Sequence, residues 1–394
     1  MSDEKIQPFE SFSAVYKVLF WAGFYKLLNK PKNRYKWILH QLYRIFALMV
    51  VIGYNITHII FLIQVITYSC FIEIPQINLF VKIITLNWHT PRIDKMNELI
   101  NEPIFAANSK KDEEMLSKNK KDMHRLVRII CGSLWVSGFT WPVSHFVRRY
   151  HDPKAVVTAY VPFETDSWIG FSCSVILEVM PILWVGYGHL ALDCIVATYY
   201  AQAEVQLKII KYNLEHLFDT EGADGVCDRG YSTYRDVVDI DLRHRFVHYV
   251  KKYEAVAWLT KETGIVFNSS MSFQFFTSSA ALCVVTYRLS SVSPFLKLRC
   301  ILLTKGIYLF HVSVPLTKYP CYYDLQSDSV AMSLYLSDWQ SASPKFRRLL
   351  LIAMMRWSRA LTPTVVGILP LSLNTYVSLL RSAYSLYAIL STRK

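Results

Sequence analysis

The chain has 394 residues, of which 53% are hydrophobic and 19% charged, and its formal net charge is +13. A soluble globular chain usually holds about 25% charged residues, so the composition argues against an ordinary soluble domain. The Lys/Arg excess fits nucleic acid, an anionic membrane surface or the positive-inside bias of membrane proteins, and the placement of the charges decides among them.

Residues 1–44 hold eight Lys/Arg: Lys5, Lys17, Lys26, Lys30, Lys32, Arg34, Lys36 and Arg44. No short apolar core with a small-residue cleavage site is visible there, so the first span is expected to act as its own insertion signal. Phe9, Phe12, Tyr16, Leu19, Phe20, Phe24, Leu27 and Leu28 form an aromatic stripe ending at Pro31. Such a stripe predicts a helix lying at the cytoplasmic membrane interface.

A membrane helix needs about 20 mostly apolar residues. Segments 45–72, 129–147, 263–287 and 360–380 contain no Asp, Glu, Lys or Arg. Three weaker candidates carry charges: 72–88 with Glu73 and Lys82, 168–200 with Glu178 and Asp193, and 300–317 with Lys305. A charge at mid-span costs about 2.5–3.5 kcal/mol on insertion scales, so each must face protein or water. The connections alternate in basic content. The 66–76 stretch has no Lys/Arg, 89–128 has nine, 148–167 three, 208–252 eight and 288–299 three. That alternation predicts an all-α polytopic protein with seven transmembrane helices and a cytoplasmic N-terminus. The odd count places the C-terminus outside. Nucleic acid is then unnecessary to explain the charge.

The expected spans are 45–66, 70–90, 129–148, 168–200, 255–287, 298–319 and 361–391, in one domain covering 1–394. Helical extensions at 201–254 and 320–360 would form a cytoplasmic, anchor-like part. Within it, 201–217 has helical periodicity and 219–230 is a breaker-rich loop with Gly222, Gly225 and Gly230. Val238, Leu242, Phe246, Tyr249, Tyr253 and Val256 recur at helical spacing among charges. That stripe should pack on other helices, within the chain, at a subunit interface, or both. A basic helix is expected between Pro344 and Ala360, with a break at Thr362-Pro363.

Eight scattered cysteines form no CxxC pair, so they read as small hydrophobes rather than disulfides or a zinc site. No HExxH, GxSxG, P-loop or GxGxxG occurs, so an enzyme reading has no support and no cofactor is implied. His58 and His189 read as core residues. The sequons at Asn55 and Asn268 fall inside spans, which makes them poor glycosylation acceptors. A G-protein-coupled receptor would have its N-terminus outside.

The last third carries a resemblance. Tyr319-Pro-Cys-Tyr-Tyr-Asp-Leu-Gln-Ser-Asp-Ser329 is followed by Tyr335-Leu-Ser-Asp-Trp339, the basic 345–348 and Leu361-Thr-Pro363. Then come Leu371-Ser-Leu-Asn-Thr-Tyr376 and Ser382-Ala-Tyr-Ser-Leu-Tyr387. This order resembles the insect odorant receptor family over 319–394; upstream the likeness rests on topology and loop lengths. Insect gustatory receptors are similar, but Ser382-Ala383 stands where their Gln-Phe belongs. A secondary transporter, the other alternative, would show internal repeats.

The resemblance implies a ligand-gated nonselective cation channel in the plasma membrane of olfactory neuron dendrites. It would assemble as a heterotetramer with an odorant co-receptor, in contact with membrane lipid and permeating cations. The chain would be the tuning subunit, because it lacks the co-receptor's long insertion between spans four and five. The implied pore lies on the second half of the last helix: Ile389 at the gate, Leu386 and Ser385 one turn inward, Thr392 one turn outward, and Arg381 in the wet vestibule or at the cytoplasmic side. The implied pocket for a small volatile odorant lies in the outer half of the bundle. Its candidates are Phe71, Trp135, Gly138, Phe139, Trp141, Ile176, Met180, Thr304, Ile307 and Tyr308, with the hydroxyls of Thr304 and Tyr308 as polar anchors.

Overall fold

A computed structural model of the chain describes residues 7–26, 34–64, 66–153, 161–219, 231–290 and 326–359, with single positions or pairs between 361 and 385. The architecture is helical: α1 (Ser13–Ala22), α2 (Arg34–Gln64), α3 (Ile66–Trp88), α4 (Thr90–Asn101), α5 (Lys110–His151), α6 (Trp168–Glu215), α7 (Tyr231–Ser290), α8 (Val330–Leu336) and α9 (Pro344–Trp357). Short 3-10 turns precede α1, α5 and α9. The described strand pairing is a two-residue antiparallel one, β1 (Thr364–Val365) against β2 (Leu369–Pro370).

Local chemistry sets the helix ends. Ser109 caps α5 by accepting from the Asp112 amide, while the Asp112 carboxylate reaches back to the Ser109 amide. Ser167 caps α6 and Ser343 caps α9, where Pro344 fills the first helical position. Gly23 closes α1 at φ 75°, and a Cβ there would lie 2.9 Å from the Ala47 Cβ, so only glycine fits both the backbone and the space.

Helix length separates two kinds of environment. α6 has 48 residues, which at about 1.5 Å per residue gives roughly 72 Å. A bilayer core is only about 30 Å thick. α5 and α7 are also longer than one crossing. Among the described residues, the apolar length of Arg34–Thr57, Lys110–His151 and Trp168–Glu215 suffices to cross a membrane. The two ends of α5 differ accordingly. Its second half exposes Trp135, Val136, Phe139, Val143 and Val147, while its first half exposes Lys110, Lys111 and Lys121.

α6 is the hub. Nearly every residue from Val185 to Ile210 is buried, and the helix packs against α1, α3, α5, α7 and α8. The stripe on α7 packs within the chain: Phe246 meets Phe346 at 5.6 Å, and Tyr253 meets Trp357 at 5.4 Å between ring centroids.

Several expectations change. Most of the N-terminal stripe packs into protein, while Phe20 is exposed and Leu27 and Leu28 lie outside the described residues. Phe12, Tyr16, Leu19 and Phe24 are buried in protein, with Tyr16 and Tyr199 both bonded to Asn97. Removal from water pushes the Tyr16 hydroxyl up to about 12. The helix also stops at Ala22 on Gly23, well before Pro31, because the αL turn folds Phe24 back against Gly188. The 66–76 stretch, expected as a connection, is helical within α3. Of the thiols, Cys194 is buried but Cys173 is exposed, on an apolar stretch of α6.

Candidate functional site

The charges that weakened the span assignments pair with one another across helices. Lys82 on α3 bonds Asp193 on α6, and its Nζ lies 3.3 Å from His189 Nε2. All three are buried. On α3 one turn away, Asn78 donates to Gln274 of α7. These bonds tie three long helices at one level. A buried ammonium costs several kcal/mol to desolvate, so it persists only with a close partner of opposite charge.

A second polar pair lies toward the far end of α5 and the start of α6. His145 Nε2 sits 3.7 Å from Glu178 Oε2, both buried. Around them Phe171, Val175 and Val179 form an apolar cluster with Trp141 and Leu183 packed against it. The Trp141 and His145 rings are 6.2 Å apart. Gly138 faces the same seam, where a Cβ would fall 2.2 Å from Leu183 Cδ2. The result is an apolar region with one carboxylate and one imidazole. It suits recognition of a small, mostly apolar molecule.

The sequence-predicted residues divide. Trp141 and Gly138 sit on the α5–α6 seam. Trp135 and Phe139 share another face of α5 at i and i+4, and are exposed; Trp135 reaches Tyr187 at 6.3 Å. Ile176 and Met180 share an exposed face of α6 in the same way. The Phe71 side chain and the residues Thr304, Ile307 and Tyr308 lie outside the described residues. So do Leu386, Ile389 and Thr392.

Arg381 and Ser385 are described. They belong to a set comprising Asn374, Val377, Ser378, Arg381, Ser382 and Ser385, all helical and exposed. The spacing puts the set on one helix face, and Ser382 Oγ donates to the Ser378 carbonyl at 3.0 Å. Apart from Val377 the described residues of this face are polar, although 360–380 contains no Asp, Glu, Lys or Arg.

The motif at 319–329 has a visible role in its last four residues. Lys211 of α6 donates to Gln326 Oε1 at 3.0 Å and to Ser329 Oγ at 2.8 Å. Buried Ser327 accepts the Leu361 amide at 2.7 Å. The motif thereby clamps the segment leading into the last helix onto α6.

Sequence reasoning missed the pairs Lys82–Asp193 and His145–Glu178. Their charges were visible as anomalies in apolar runs. Which charge met which was not, since Lys82 and Asp193 come together only through the fold.

A family model described as 7tm Odorant receptor matches residues 63–384. Odorant receptor 85f of Drosophila melanogaster is 21% identical over 402 aligned residues, covering 97% of each chain. Odorant receptor 19a of the same fly is 25% identical over 152 residues, spanning 37% of this chain and 38% of that relative. Among solved structures, the olfactory receptor OR5 from the insect Machilis hrabei superposes with a TM-score of 0.76 at 15% identity, covering 95% of this chain and 96% of that one. The same receptor in complex with eugenol gives 0.77 at 14% identity, covering 96% and 97%. At these identities the structures establish the fold.

Proposed function

The chain belongs to the 7tm odorant receptor family, and from that premise we propose that it is the odorant-binding subunit of a ligand-gated, nonselective cation channel working with an odorant co-receptor. The observation that carries the channel reading is the polar face at 374–385 on the last helix. A membrane helix that presents Asn374, Ser378, Arg381, Ser382 and Ser385 along one side needs water or protein there, because lipid cannot satisfy them. Four such faces around an axis would line a wet path. Ile389 would close it as an apolar ring by excluding water, with Leu386 and Ser385 one turn inward and Thr392 outward. The seven-span topology, with the N-terminus inside, follows from the charge alternation.

The odorant is proposed to bind in the outer half of the bundle. Trp141 and Gly138 would form one wall on the α5–α6 seam. Trp135, Phe139, Ile176 and Met180, with Phe71 from α3, would form others, closed by Thr304, Ile307 and Tyr308. The eugenol complex of the Machilis receptor supports a small-molecule site in this fold. Glu178 and His145 supply a buried polar end for such a molecule, and nothing in the arrangement requires bond-making chemistry. The proposed location is the plasma membrane of olfactory neuron dendrites.

Single cysteines at Asn374, Ser378, Ser382 and Ser385, tested with water-soluble thiol reagents, examine the pore assignment. Block of odorant-evoked current at these positions, faster in the open state, is expected. Equal block at Val266 or Phe267, buried on α7, with none on the last helix, would refute it.

A further inference from the structure

Seven Lys/Arg lie on α5 between Lys110 and Arg128. Lys120 is bonded to Glu10, and Lys111 pairs with Glu114 at 2.9 Å. Lys118, Lys121, Arg125 and Arg128 are exposed, and their spacing of three, four and three residues places them on one face. Exposed Asp122 flanks this stripe. The 3.6-residue repeat carries the same face on to Ile129, Val136 and Val143, which are exposed in the apolar part of the helix. The positive-inside bias counts cations without regard to helix face. A lipid-facing side that turns basic where it leaves the bilayer is instead the pattern of contact with anionic headgroups.

Contacts with α6 fix where the bilayer surface crosses this face. Leu134 packs over Gly186 of α6, where a Cβ would lie 2.9 Å from Leu134 Cδ1, and Asn119 donates to Gln202 at 3.2 Å. Arg125 and Arg128 therefore lie beside the stretch of α6 between Gly186 and Gln202. Trp88 belongs to the same stretch, because it stands in sequence between Lys82, bonded to Asp193, and Asn97, bonded to Tyr199. Trp21 is held nearer the bilayer centre, where Trp184 donates to the neighbouring Ala22 carbonyl at 3.0 Å. Trp88 and Trp21 are 80% and 75% exposed, and tryptophan concentrates at the membrane–water boundary. The two arginines thus sit at headgroup height. Lys121 and Lys118 follow about 6 Å and about 11 Å below Arg125. We propose that this face of α5 binds the headgroups of anionic phospholipids in the inner leaflet, with Arg125 and Arg128 on the phosphates and the acyl chains along Ile129, Val136 and Val143. A phosphoinositide, whose headgroup projects beyond its phosphodiester, reaches Lys121 as well. The assignment to the inner leaflet rests on the topology proposed above.

The full-length chain in a nonionic detergent is titrated with dioctanoyl phosphatidylinositol 4,5-bisphosphate, dioctanoyl phosphatidylcholine and inositol trisphosphate. Lipid adducts by native mass spectrometry and thermal stabilisation are read together. The phosphoinositide should bind well ahead of phosphatidylcholine and of the free headgroup. Arg125→Ala with Arg128→Ala should weaken it on the order of 30-fold, at the usual attraction per cation at a membrane surface. Arg125→Lys with Arg128→Lys should stay within about threefold, since that attraction counts Lys and Arg alike. Lys110→Ala with Lys111→Ala should leave binding unchanged, because those residues lie about 22 Å below Arg125 along the helix, beyond the Debye length of about 8 Å. The unaltered chain supplies a check that needs no variant: raising salt from about 0.1 M to about 1 M shortens the Debye length from about 10 Å to about 3 Å and should release the lipid. Equal binding of inositol trisphosphate would make the face a site for soluble polyanions and overturn the lipid assignment. Undiminished binding in the double Ala variant, equal loss in the Lys110 and Lys111 variant, or indifference to salt would also overturn it. A change of oligomeric size in the arginine variants without any lipid effect would make the face a subunit contact instead. Binding in detergent does not depend on sidedness, so an N-terminal epitope exposed outside intact cells would overturn the inner-leaflet placement alone.

Discussion

The buried pair Lys82–Asp193 lends itself to a quantitative test. Lys82 is 3% exposed and Asp193 4%, so solvent screens the pair little. Removing one partner of a buried pair leaves an uncompensated charge and costs about 3–5 kcal/mol, whereas replacing both with apolar groups of similar volume is often neutral or stabilising. Asp193→Leu should fall at the upper end, because Lys82 is then left with only the imidazole of His189 at 3.3 Å. Lys82→Met should cost less, because Asp193 keeps His189 at 3.8 Å. The assay is thermal unfolding of the full chain in detergent, followed by size-exclusion chromatography. At about 2–4 °C per kcal/mol, the scale for chains of 150–250 residues, each single change should lower Tm by roughly 6–20 °C. The double variant Lys82→Met with Asp193→Leu should recover most of that loss. If the double variant instead shows the sum of the two single losses, the residues do not act as a pair and the reasoning fails.

Three further outcomes follow from the same physics. Glu178→Gln keeps the shape of the polar end of the proposed pocket and replaces its carboxyl with an amide. Odorants with an O–H donor should lose about 2–13-fold in potency, the range for an ordinary hydrogen bond, while hydrocarbons stay unchanged; a uniform shift across a panel would contradict the anchor role. Lys252 on α7 is buried and has no hydrogen-bond partner among the described residues, with Asp112 as the opposing charge that partly offsets its burial. Desolvation lowers it to about 8 from 10.5, so between pH 8 and 10.5 the unfolded chain binds a proton that the folded chain does not. Its contribution to stability therefore rises with pH across that window. Lys252→Met should flatten this dependence and stabilise the chain at pH 7.5 by an amount on the order of 3 kcal/mol, read by melting at pH 7.5 and 9.5. Arg381→Ala removes a positive charge from the proposed cation path. Single-channel conductance should rise, more at low salt than at physiological salt, where the Debye length is about 8 Å, with the ranking of odorants unmoved. Unchanged permeation in patch recordings would remove Arg381 from the pore.

Much of this fold was legible because membrane and helix physics leave marks in composition. The stripe Leu242–Phe246–Tyr249–Tyr253 announced a helix seeking a partner, and Phe346 and Trp357 supply it. The basic helix before the last span was readable from Pro344 and the cations that follow it, and the structure adds its cap, Ser343. The N-terminal stripe was legible as an apolar face, but its protein partner was not. An aromatic face looks the same whether it meets lipid or the side of α6, and only the fold brings Tyr199 and Asn97 up to Tyr16. The polar pairs were hidden for a related reason. Hydropathy registers Lys82 as a defect in one segment and Glu178 and Asp193 as defects in another, and periodicity cannot show that Lys82 and Asp193 meet across a helix contact. On the last helix, the i, i+3, i+4 pattern of Asn374, Ser378, Arg381 and Ser382 was present in the sequence. What the structure added is that the described residues of that face are exposed.

The most direct test of the central claim is to express the chain with and without an odorant co-receptor and record current while applying a panel of volatile odorants. The account predicts odorant-evoked, nonselective cation current from the pair and none from the co-receptor or the chain with inert membrane partners. Saturable uptake without channel current, or a current from the pair indifferent to every volatile tested and evoked instead by sugars or bitter compounds, would contradict it.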